Sequence, residues 1–81
     1  MAFAENLRRL RSTHFWSQRD LARRAGVHAV TVTRLEAGTT SPSSRSVRVL
    51  AAALGVEPRA LATPHEVAEL RGVLTRARNG L

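Results

Sequence analysis

From Phe3 to His14 the apolar residues Phe3, Leu7 and Leu10 recur at spacings of four and three, while Glu5, Arg8, Arg9 and Arg11 fall mostly elsewhere around the turn. The pattern predicts an amphipathic helix with a basic outer side. Phe15 and Trp16 then interrupt it. The expected use of Trp16 is as a core plug between the first two helices; the alternative is an exposed stacking surface for single-stranded nucleic acid. Ser17 followed three residues later by Asp20 has the form of a helix start, because the hydroxyl accepts from a first-turn amide and the carboxylate favours the positive end of the helix dipole. A second helix to about Ala25 places Leu21, Ala22 and Ala25 inside and Arg19, Arg23 and Arg24 outside.

Gly26 stands where the chain must turn sharply, and Ala22 is small where a following helix must cross closely. On a third helix beginning near His28, Thr31, Val32 and Leu35 share one side. Ala29, Val30, Thr33, Arg34 and Ala37 share the other. Gly38 ends that helix, and the stretch TTSPSS reads as a polar loop. Ser43 caps a fourth helix over about residues 44 to 54, with Val47, Leu50, Ala51 and Leu54 inward and Gly55 as the stop. Val56 to Leu61, with Pro58 early, reads as a short fifth helix.

Thr63, Pro64 and Glu66 form another start signal, predicting a sixth helix from Pro64 to about Arg78 and a frayed end at residues 79 to 81. Val67, Leu70, Leu74 and Ala77 repeat on it at spacings of three, four and three, with Val73 adjacent, as a heptad-like stripe. Such a stripe serves either a dimer contact or packing back on the same chain. The expected architecture is therefore all-α: five helices in residues 1–62, then a C-terminal helix and tail over 63–81.

The core of such a chain must come from Leu, Val and Ala, since only Phe3, Phe15 and Trp16 are aromatic. There is no Cys, which excludes disulfides and thiolate metal sites, and His14, His28 and His65 are too scattered to suggest a metal centre. No cofactor is implied. No apolar run approaches the ~18 to 20 residues of a membrane span, and there is no signal-peptide pattern, so a cytoplasmic location is expected. The histidines have no Ser, Cys or carboxylate in a catalytic arrangement, so no enzyme is expected.

All thirteen basic residues are Arg, against six acids, for a net charge of +7. Residues 1 to 50 hold nine Arg against Glu5, Asp20 and Glu36, whereas residues 51 to 81 hold four against three Glu. The excess therefore lies with the two helices around Gly26, and a basic small domain suits nucleic acid or another anionic surface. Two short helices meeting at a glycine have the layout of a helix-turn-helix, whose second helix enters the major groove. On that reading Val30 faces a thymine methyl, Arg34 donates two bonds to guanine, and the loop after Gly38 meets phosphate. Arg45 in the first turn of the fourth helix conflicts with the dipole, and a nearby phosphate removes the conflict.

Taken together, ENLRRLR, SQRDLARRAGV, TVTRLEAG, Pro42-Ser43 and VLAAALGVEPRAL closely resemble the Cro/C1-type, or Xre-type, helix-turn-helix family, over about residues 3 to 62. The resemblance implies a compact, lambda-repressor-like bundle of five helices. It implies that Gln18 contacts phosphate and orients a side chain of the recognition helix, and that Ala29, Val30, Thr33 and Arg34 face bases. His28 is then a flanking phosphate contact, and Ser17, Thr40, Ser41, Ser44 and Arg45 lie along the backbone-binding edge. Arg11 and Glu36 occupy the positions of a structural ion pair. Phe15 departs from the family's usual Gly or small polar residue, and Ala29 and Val30 replace longer polar side chains, which shifts readout toward Arg34, methyl contacts and DNA shape.

The function implied is sequence-specific binding of double-stranded DNA by a transcriptional regulator, a repressor by default, acting as a homodimer on a palindromic operator. The alternative is an antitoxin-type DNA-binding protein that also binds a toxin or other protein partner through residues 63 to 81.

Overall fold

The computed structural model describes residues 2–68 and 70. Their helices are α1 (Phe3–Thr13), α2 (Gln18–Ala25), α3 (Ala29–Ala37), α4 (Ser44–Leu54) and α5 (Pro58–Leu61), followed by a 3-10 turn at Pro64–Glu66. No strand occurs among the described residues. The inward positions of each helix meet in one core in which Leu7, Leu21, Val32, Leu50 and Leu61 are fully enclosed. Burial of each such side chain contributes about 1.5–3 kcal/mol relative to exposure. α2 packs on α3 and α4, α1 on α3 and α5, and α4 on α5.

The helix ends explain the turns. Ser17 caps α2 by accepting from the Asp20 amide at 3.0 Å, and the Asp20 carboxylate accepts from the Ser17 amide at 2.9 Å. These bonds to Ser17 hold the Asp20 carboxyl below its ordinary range. Gly26 ends α2 at φ 71°, where the Val27 amide reaches back to the Ala22 carbonyl at 3.0 Å. α1 ends in the same way but without glycine. Phe15 adopts φ 60° and is 95% exposed, so this bulky residue carries a left-handed strain that no burial offsets.

Trp16 is neither a full core plug nor an open platform. Its indole is partly buried against the core, the His14 ring stacks on it at 4.2 Å, and the Arg24 guanidinium lies 4.4 Å from its centroid. The fifth helix is shorter than the predicted Val56–Leu61, because Glu57 is its N-cap and Pro58 its first residue.

The C-terminal segment differs most from expectation. A helix does start at Pro64, but as a single 3-10 turn that is interrupted at Val67, extended at φ −90° and ψ 124°, before Ala68 and Leu70 are helical again. Two pulls break it. The Val67 side chain is drawn into the core at 4% exposure, and the Glu66 carboxylate accepts the Phe3 amide of α1 at 3.1 Å as well as the Thr63 amide at 2.8 Å. Further ties run from Asn6 to the Leu61 carbonyl at 3.0 Å and from the Ala68 amide to the Pro42 carbonyl at 2.9 Å. Residues 63 to 67 are thus part of the bundle, not an appended segment. Val67 is a core residue rather than a dimer contact, and Leu70 is half-buried against the same core. Val73, Leu74 and the rest of the predicted sixth helix lie outside the described residues.

Candidate nucleic-acid interface

The orientation of α3 is set by a buried carboxylate. Glu36, at 3% exposure, is the one buried charged residue among those described. Its two oxygens accept from Arg11 Nε at 2.7 Å and Arg11 Nη2 at 2.8 Å, a bidentate pairing that also raises the Arg11 pKa above its ordinary value. Arg11 donates further to the Trp16 carbonyl at 2.8 Å, and Arg8 donates to the Glu36 backbone carbonyl. α1, the turn before α2, and α3 are thereby clamped at one point.

Gln18 extends the clamp to the outer surface. Its Nε2 donates to Glu36 at 2.9 Å, while its Oε1 accepts from the Thr33 hydroxyl at 2.8 Å. The Thr33 hydroxyl also lies 3.2 Å from the Ala29 carbonyl, so one proton is shared between two acceptors. Both ends of the Gln18 amide are engaged within the domain, which supports its role in orienting Thr33; a phosphate would compete for it.

On the outer surface of α3, Val30 is 51% exposed, and Thr33 and Arg34 are exposed beside it. The Arg34 guanidinium has no hydrogen bond or ion pair among the described residues. Ala29 is turned further inward than expected and packs partly against the core, which leaves Val30, Thr33 and Arg34 as the outward group. His28, exposed, is the N-cap residue of α3 but makes no side-chain cap bond. The Thr31 amide donates back to the His28 carbonyl at 3.0 Å, which leaves the Ala29 and Val30 amides of the first turn for solvent or an anion.

Beside Arg34 lies a hydroxyl-lined hollow of about 200 Å³ formed by α3 and the loop to α4, with Thr40, Ser41, Ser43 and Ser46 around it. Ser43 is committed to the α4 cap, accepting from the Ser46 amide at 3.0 Å. The structure thus brings Arg34, Thr40 and Ser41 together. Ser44 does not join them; it lines a separate cleft against α5. Arg45 is exposed in the first turn of α4, and Ser17 is exposed at the start of α2.

Sequence reasoning missed the contribution of Arg8 and the bond between Gln18 and Glu36, since neither pair has helical spacing. Arg23 and Arg24 are exposed as expected, with Arg24 held over Trp16 and Arg23 paired with Asp20 at 3.0 Å. Among the described residues no group of acids and histidines could hold a metal ion, and no helix is long and apolar enough to cross a membrane.

An all-helical domain in which a second helix, turning at a left-handed glycine, braces a third helix with an exposed outer face is a helix-turn-helix domain, a class built for DNA binding. The chain matches the helix-turn-helix domain family over residues 2–70, most of its length, and belongs to that family. No curated protein and no solved structure matches it.

Proposed function

We propose that the protein is a sequence-specific transcriptional regulator that binds double-stranded DNA as a homodimer on a palindromic operator, with repression by occlusion of polymerase as its mode. The observation that carries this reading is the exposed group Val30, Thr33 and Arg34 on a helix fixed from behind by Gln18 and Glu36. A preorganised helix face loses little freedom on entering a groove, so its contacts discriminate between bases. Arg34 is the base-reading donor, Val30 the methyl contact, and Thr33 a short hydroxyl contact. Ser17, His28, Thr40, Ser41 and Arg45 lie on the phosphate edge, supplying salt-sensitive affinity.

Selection of bound duplexes from a random pool tests this directly. The expected product is an inverted pair of half-sites with centres about one DNA turn, ~34 Å, apart. Enrichment of a single unrepeated site would remove the homodimer, and absence of enrichment would remove sequence-specific binding.

A further inference from the structure

Away from α3, a cleft of about 220 Å³ opens between α4, α5 and the C-terminal turn, and none of its lining residues belongs to α2 or α3. Its base is apolar: Val47, Ala62 and Val67 are each 7% exposed or less. Pro58, Pro64 and Leu70 wall it, and Arg48 and Arg59 stand exposed beside it. Among the described residues no acid lines the cleft, and neither arginine has a partner. An apolar base with a cationic rim calls for an occupant with the opposite pattern, an aliphatic anchor flanked by carboxylates.

Charge separates the available occupants. The chain's own residues 71 to 81 carry Arg71, Arg76 and Arg78 and no acid, so they would bring like charge to the rim. A second copy meeting cleft to cleft about a twofold axis would gather two pairs of Arg48 and Arg59 at one interface. DNA phosphates would satisfy the arginines but leave the apolar base covered by nothing. We infer that the cleft docks a short acidic segment of another protein, an aliphatic side chain entering over Val47 and Val67 and carboxylates pairing with Arg48 and Arg59. This inference does not depend on DNA binding by α3.

The test is nuclear magnetic resonance of the full chain titrated with two synthetic helical peptides of equal length, each with leucines one turn apart, one flanked by glutamates and the other by lysines. The glutamate peptide should shift the amides of Val47, Arg48, Ala62 and Val67 saturably, and the lysine peptide should not. The Arg48→Glu, Arg59→Glu double variant should weaken the glutamate peptide about tenfold, as expected for two partly exposed ion pairs. Equal response to both peptides, no saturable response, or shifts confined to α3 would overturn the inference. So would cleft amides that shift with protein concentration alone, with Val73→Asp and Leu74→Asp changes alone, or with a random-sequence duplex.

Discussion

Gln18 and Thr33, on different helices of the motif, are joined by a 2.8 Å hydrogen bond, and the same Gln18 amide holds the buried Glu36 at 2.9 Å. A side chain on the outer surface of α3 is thus wired to the carboxylate that clamps three parts of the fold. Gln18→Ala should therefore reduce operator affinity about tenfold, while lowering stability by only about 1 kcal/mol. A double-mutant cycle with Thr33→Val, read in the binding free energy, should give a coupling of about 0.5–1 kcal/mol. Additive losses would mean that the two residues act on DNA separately.

Glu36 is the position where a polar substitution should hurt stability most. Glu36→Ala leaves the partly buried Arg11 without its bidentate partner and Gln18 with one end unsatisfied. Arg11 retains 18% exposure, so the loss should fall near the lower end of the range for a broken buried pair, about 3 kcal/mol. Urea denaturation measures it.

Phe15 predicts a gain. At φ 60° and 95% exposed, its side chain makes the left-handed turn costly and buries nothing. Phe15→Gly should stabilise the domain by roughly 0.5–1 kcal/mol, the relief of left-handed strain less the greater chain entropy of glycine. A fall in the melting temperature would show that Phe15 makes a stabilising contact.

Arg34→Ala should weaken cognate binding by about 1–3 kcal/mol and relax preference at one base pair. Equal loss on every sequence, with a shallower salt dependence, would make Arg34 a phosphate contact.

Asp20 ties stability to pH. Its folded pKa is depressed by the bonds to Ser17, so its contribution is present above the ordinary carboxylate pKa and is lost as pH falls through the folded value. Asp20→Asn should lower the melting temperature at neutral pH, and the difference from the parent should shrink as pH falls below about 4. A constant difference across that range would assign the effect to shape rather than charge.

Much of this protein is local enough to be written in the chain. The spacing of Leu7, Leu21, Val32 and Leu50, the caps at Ser17 and Ser43, and the left-handed Gly26 each act within a turn or two of their own position, so periodicity and capping chemistry determine the helices and their inward faces. The exposed group Val30, Thr33 and Arg34 follows from the same periodicity.

Contacts between distant residues decided the rest. The start signal at Thr63 and Pro64 is genuine, but the burial of Val67 and the pull of Glu66 toward Phe3, sixty-three residues away, interrupt the helix at Val67 before it resumes at Ala68. The arginines show the same division. Sequence determined their number and their concentration in the first half of the chain. Arg23 pairs with Asp20 by i,i+3 spacing on α2, but only the fold committed Arg11 to Glu36 and Arg24 to Trp16 while leaving Arg34 outward, because partners across the bundle are chosen by packing and not by spacing.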